Sequence, residues 1–299
     1  MKKLTILFSL LLVMVSQFAI AQIASKDSVW LHQGSFGVNF SNVGLYNWAA
    51  GGQNSTALGA VLSLKTKMDE GAMVWGTQLD MAYGVVRQGD SRYNVKKTDD
   101  QMVLTSDMGY KINEHWRLLG SAQLRTQMDV GYDFYMDETD DQEMRRKISA
   151  FMAPGYLVLN AKAEYNYKDI VSLSLAPVSN RFTFVMDEQL SEQGAFGVEA
   201  GERMRYQFGM TIHNAIQAKL MENVSVKSDL NMFAPYEELD RWVVNWGTLL
   251  VFKVNKYINT NFGTQLIYDP DVLVPKSDGT TGQGVQFKHV LNVGVAVSY

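Results

Sequence analysis

A two-residue alternation of apolar and polar side chains runs through almost the whole chain, and it confines its charges to one face. Trp30, Phe36, Val38 and Phe40 share a face against Gln33, Ser35 and Asn39; Leu58, Ala60, Leu62 and Leu64 share one against Ser63 and Lys65. Met73, Trp75, Leu79, Met81, Tyr83 and Val85 continue the pattern against Gln78 and Asp80. A period of two is the signature of a β-strand. Twelve such segments follow one another, and no apolar-face position named in them is Asp, Glu, Lys or Arg, although 19% of the chain is charged. The segments are far longer than the ~5–6 residues usual in globular sheets. Charges excluded from one face of every long strand are what a lipid-facing surface demands, since a Lys or Arg at mid-bilayer costs about 2–4 kcal/mol.

The chain begins Met1-Lys2-Lys3, continues with an apolar run from Leu4 to Val15, and reaches Ala19-Ile20-Ala21 before Gln22. A basic start, a short apolar core and an A-x-A site read as a secretory signal peptide over residues 1–21, removed on export. Beyond it no stretch of 18 apolar residues exists, so no helix is expected to span a membrane. A membrane protein made from residues 22–299 must then be a closed barrel, the other structure that satisfies every backbone group in lipid. The expectation is an all-β chain: one transmembrane antiparallel barrel of about 12 strands in an up-and-down meander.

The connections support it. Short turns at 69–71, 113–115, 168–169, 221–223 and 255–257 alternate with longer loops, as bacterial barrels alternate periplasmic turns with external loops. Trp75, Tyr110, Trp116, Tyr167 and Tyr299 fall beside the turns; Tyr83, Tyr132, Tyr206, Trp242 and Tyr268 fall near the loops. Two aromatic belts fit two membrane interfaces. Pro177 interrupts the seventh strand, where a bulge should shift the faces because Pro cannot donate to the ladder. The fifth strand is read through to Tyr132, followed by a charged loop from about Asp133 to Lys147.

The last segment ends Asn292, Gly294, Val297, Tyr299. A terminal strand closing on an aromatic resembles the C-terminal signal of outer-membrane barrels. Gly294, Val297 and Tyr299 would present it to the barrel-assembly machinery. The expected location is the outer membrane of a Gram-negative bacterium, with its lipid as the first partner.

Several blocks carry a family likeness: Asn47-Trp48-Ala49-Ala50-Gly51-Gly52-Gln53-Asn54-Ser55, Ala153-Pro154-Gly155-Tyr156, Leu175-Ala176-Pro177, Gly194-Ala195-Phe196-Gly197-Val198 and Tyr268-Asp269-Pro270-Asp271-Val272. In this order they resemble an uncharacterised outer-membrane barrel family of Bacteroidetes, the domain of unknown function 3078. The resemblance implies an exported barrel and brings no catalytic residues with it. Asn47, Trp48, Gly51 and Gly52 form its most specific block, either an interface loop or a loop folded into the lumen.

The chain contains no Cys and carries a net charge of −4. Thiol chemistry and disulfides are excluded, and no basic patch suggests nucleic acid. No phosphate-binding, nucleophile-elbow or zinc-protease motif occurs. The four His (His32, His115, His213 and His289) are not spaced for a metal, and Asp137, Asp141 and Glu143 lack the glycine of a calcium loop. His32 and His289 lie on the outward face and would be neighbours where the first and last strands meet. No enzyme, cofactor or metal is expected. The functional lead is the inward register: Asp80, Asp107, Arg125, Asp129, Lys162, Glu164, Arg205, Lys227, Asp229 and Lys253. These charges could line a water-filled passage, making the chain a small channel or solute-passage barrel. Alternatively they could pair and fill the lumen, giving a structural or partner-binding barrel in envelope assembly or secretion.

Overall fold

A computed structural model of the chain describes residues 29–43, 54–89, 93–137, 142–255, 258–275 and 281–298. The expected signal peptide, the Asn47–Gly52 block and Tyr299 lie outside them. Twelve strands form the wall: β1 (Trp30–Val43), β2 (Ser55–Glu70), β3 (Met73–Gln88), β4 (Val95–Lys111), β5 (Trp116–Thr126), β8 (Gly155–Tyr167), β9 (Val171–Phe184), β10 (Met204–Met221), β11 (Val224–Pro235), β12 (Val243–Lys253), β13 (Ile258–Tyr268) and β16 (Gln286–Ser298). Each pairs antiparallel with the next along the chain, and β16 returns to β1 through Ser35↔Ser298 to Asn39↔Gly294. That last ladder closes the barrel and leaves no unpaired edge, as a backbone in hydrocarbon requires. Among the described residues no helix is long and apolar enough to cross a membrane.

Cross-strand pairing carries the apolar face across most of the wall. Leu64 sits opposite Leu79, Leu79 opposite Leu104, Leu104 opposite Leu124, Leu124 opposite Leu157, Leu157 opposite Phe182, and Phe182 opposite Tyr206. On the other side Val226, Leu250, Phe262 and Leu291 form a similar row. Paired residues share a face, so one apolar surface wraps the cylinder. Trp75, Tyr110, Trp116 and Tyr167 are exposed at its turn side, and Tyr206 at its loop side. Trp30 and Trp75 meet edge-on with centroids 5.4 Å apart, as do Trp116 and Tyr165 at 5.3 Å. A closed cylinder with an apolar belt and aromatic margins is a transmembrane β-barrel, and this chain is a barrel of the Gram-negative outer membrane.

The face shift expected at Pro177 is present. Ala163 pairs with Leu175 but Ala161 with Val178, and Thr211 pairs with Ala176 but Gly209 with Ser179. Outward residues on β9 are therefore odd-numbered before the bulge (Leu173, Leu175) and even-numbered after it (Val178, Phe182). Gly209 lies beside the bulge because a Cβ there would collide with the Ala234 carbonyl.

Four expectations need correction. β5 stops at Thr126, because the amides of Met128 and Asp129 turn to the Asp100 carboxylate (2.8 and 2.9 Å) instead of a strand. The stretch expected to be a charged loop begins a separate hairpin of β6 (Gly131–Met136) and β7 (Glu143–Ser149), which contains Tyr132. Asp100 and Lys97 also fall on the outward register, beyond Met102 toward the loops, where they pair with each other at 2.7 Å. Finally, the β1–β16 register places His289 near the loop end and His32 near the turn end, so the two are not neighbours.

Outside the wall, β14 (Leu273–Pro275) and β15 (Thr281–Gln283) form a second small hairpin. A short helix, α1 (Glu188–Glu192), starts at Asp187, whose carboxylate accepts from the Leu190 amide. Ala150, Ala153, Val185, Leu190 and Val198 pack into a small core joining the loops after β5 and β9.

Candidate functional site

The inner register supplies the candidate site, and it changes character along the barrel axis. Toward the turns it carries pairs between near neighbours. Arg117 meets Glu164 at 3.4 Å, Lys162 meets Asp107 at 2.9 Å, and His213 meets Asp229 at 2.7 Å. Asp80 accepts from Ser63 (2.6 Å) and Gln78 (2.7 Å). Against β2, β11 and β12 the same half is open. Lys65, Val61, Lys227 and Leu249 face inward and are exposed. The Asp229 side chain, ringed by the wall, is 65% exposed and so reached by water. Lys253 is exposed on the same register near the turn.

Toward the loops the lumen is crossed twice. The chain leaving β13 folds inward at Asp269-Pro270-Asp271. Asp269 accepts from Arg181 of β9 at 2.7 Å, and each side chain is only 6% exposed. β9 lies four strands from β13 around the wall, so this bond spans the interior. Asp271 takes Arg205 at 2.6 Å and Arg241, from the β11–β12 connection, at 2.8 Å. The Asp271 amide donates to Asp269 Oδ1 at 3.0 Å, which locks the two carboxylates into one turn. Gly197 lies against Arg205 and Asp271, where a Cβ would approach them to 2.6 and 2.8 Å. Its φ of +74° also suits glycine. Lys288 of β16 reaches Asp99 of β4 at 3.0 Å, again four strands away.

Arg181 is further held by rings. Its guanidinium lies over Tyr156 at 4.9 Å and near Phe233 at 5.7 Å from the ring centroid. Planar delocalised charge stacks well on aromatic faces. Arg125 differs from the other arginines of the inner register. Arg117, Arg181 and Arg205 each have a carboxylate in contact, whereas Arg125 has none among the described residues.

Of the ten inward candidates read from the sequence, nine lie on wall strands with the inward parity. Asp129 does not: it lies past the end of β5 and accepts from the outward-register Tyr83 hydroxyl at 2.9 Å. Gly294 pairs with Asn39 and Asn259, and Val297 with Phe36. The residues that matter most at the loop end, Arg181, Asp269, Asp271, Arg241, Lys288 and Asp99, are not among those ten, although Asp269 and Asp271 stand in one of the family-like blocks. Arg181 follows the bulge, where the inward parity is reversed, and Asp269-Pro270-Asp271 has the composition of an ordinary turn.

Outside the membrane, Asp187 joins the β6–β7 hairpin to the β9–β10 loop. The Lys147 ammonium at 2.8 Å holds its carboxyl below the usual aspartate range.

No curated protein is similar in sequence to this chain. Among solved structures it is similar to an outer membrane channel from Pseudomonas putida F1, with 10% identity, 93% of this chain and 100% of that chain covered, and a TM-score of 0.42. It is similar to the translocator domain of the autotransporter NalP from Neisseria meningitidis, with 9% identity, 90% and 86% covered, and a TM-score of 0.36. The monoaromatic hydrocarbon channel CymD gives 8% identity, 90% and 87% covered, and a TM-score of 0.32. From the outer part of β1 to the start of the β6–β7 hairpin, residues 40–132, the chain matches the model of a family described as a protein of unknown function, DUF3078.

Proposed function

We propose that this protein is a small outer-membrane channel, not an enzyme: a polar passage, wide toward the turns and narrowed at the loops by the Asp269–Asp271 turn. The observation that carries the reading is the exposure of inward-facing Lys65, Val61, Lys227, Asp229 and Leu249. A lumen filled by its own side chains would bury them. Twelve strands enclose more than the eight-stranded barrels that side chains fill, and less than the sixteen-stranded porins that leave a broad aqueous channel. The reading takes residues 1–21 as a signal removed on export and Gly294, Val297 and Tyr299 as the recognition end for barrel assembly. Planar-bilayer recording tests it. Discrete conductance steps from folded, purified barrel are expected, and a folded barrel that carries no current would remove it.

A second reading, a closed barrel that binds an envelope partner, is favoured by the Arg181–Asp269 and Lys288–Asp99 bonds across the lumen. It expects no current from the wild type and a reproducible partner in mild-detergent co-purification.

A further inference from the structure

The narrow part of the lumen contains polar atoms that no described residue satisfies. Arg125 Nε, Arg181 Nη1 and the amide oxygen of Gln207 are buried with no hydrogen-bond partner among the described residues. The three belong to one patch of the inner wall. Arg125 is paired across the β5–β8 ladder with Tyr156, the Arg181 guanidinium lies over the Tyr156 ring, and Arg181 is paired across β9–β10 with Gln207. Directly paired strand residues sit about 5 Å apart at Cβ. Buried groups without partners are uncommon, and each costs about 1–3 kcal/mol, more when charged. The patch also holds two guanidiniums against one contacting carboxylate, Asp269.

We propose that Arg125, Tyr156, Arg181 and Gln207 form a binding site for small hydroxylated carboxylates, a class that includes sugar acids. The inference rests on the channel reading for its biological sense, but not for its test. A carboxylate answers Arg125 Nε and Arg181 Nη1 together, because a planar anion accepts from two guanidinium N–H groups at once. The Gln207 amide oxygen needs a hydrogen-bond donor, which a carboxylate anion cannot supply. A hydroxyl supplies it. The Tyr156 ring, already covered on one side by Arg181, supplies the flat apolar surface against which a short carbon chain can lie. The site sits just inside the turn made by Asp269 and shares Arg181 with it, so an arriving carboxylate competes with Asp269 for the same guanidinium.

The test uses the full barrel folded in detergent, with gluconate as probe and hexanoate, an anion of similar length without hydroxyls, as comparison. Titration calorimetry should show gluconate binding and weaker hexanoate binding. Arg125→Gln should weaken gluconate roughly tenfold or more, the loss of one charge-assisted hydrogen bond. Gln207→Leu should bring gluconate down toward hexanoate and leave hexanoate unchanged. In bilayers, gluconate should block the wild-type current and fail to block Arg125→Gln at the same concentration. Equal gluconate affinity in wild type and Arg125→Gln, or no gluconate binding to the wild type, overturns the proposal. A barrel that binds gluconate as described yet carries no current keeps the site and refutes the channel. Should Arg125→Gln misfold, as judged by loss of the compact heat-modifiable band, Gln207→Leu alone decides through the gluconate-to-hexanoate ratio.

Discussion

Replacing Asp269 by alanine leaves the Arg181 guanidinium buried without its carboxylate, and the consequence can be sized. Both side chains are 6% exposed and meet at 2.7 Å. Removing one partner of such a pair costs about 3–5 kcal/mol, chiefly because the survivor is an uncompensated buried charge. The cost falls on the state in which residues 268–271 sit inside the lumen, since that is where Arg181 and Asp269 meet. With about 1.4 kcal/mol for each factor of ten, the equilibrium for swinging this segment outward should shift by about two to three and a half powers of ten. Two readouts follow. Protease cleavage within 273–283 should accelerate by that factor while the wall stays intact, and single-channel conductance should rise as the turn leaves the passage. The double variant Arg181→Gln/Asp269→Ala removes the stranded charge and should recover most of the loss, a strong non-additivity of the kind contacting residues show. If Asp269→Ala leaves both cleavage and conductance within twofold of wild type, the turn is not held in the lumen by this bond and the reasoning is refuted.

The barrel wall offers a test at adjacent residues of one strand. Leu62→Lys places an ammonium in lipid and should destabilise by about 2–4 kcal/mol in denaturant titration, whereas Val61→Lys, facing the lumen and 45% exposed, should change stability by less than about 0.5 kcal/mol. Lys288→Gln should cost under about 1 kcal/mol, since its pair with Asp99 is 41% and 36% exposed, yet should alter conductance because the bond crosses the loop end. The pH response of the loops has a definite sign. Asp187 is held below its usual range by Lys147, so the contact stabilises fully above about pH 3.9 and is lost as pH falls through the lower folded value. An NMR titration of the Asp187 carboxyl should show a depressed midpoint that moves back up in Lys147→Met, and an unchanged midpoint would count against the contact.

Much of this fold is written locally. Leu62 and Lys65 announce opposite faces by side-chain type alone, and a face that keeps charge to its loop-side margin, at Lys97 and Asp100, names the solvent on each side. The bulge at Pro177 was readable for the same reason: a residue without an N–H cannot keep its place in a ladder. The aromatic margins and the short turns depend on residues near one another in sequence, so they too were legible.

What tertiary structure decided is who faces whom. The alternation does not say where a strand ends, and Asp100, twenty-nine residues before Asp129 on a neighbouring strand, ends β5 by capturing its next amides. It does not say that His32 and His289 are staggered apart, because stagger is set by the ring as a whole. Above all it does not pair charges across the lumen. Asp269 meets Arg181 only because closing twelve strands brings a turn after β13 opposite a strand from the middle of the chain. Among the described residues Arg125 contacts no carboxylate, for the same reason. Side-chain period is a property of neighbours along the chain, whereas electrostatic partnership inside a cylinder is a property of its circumference.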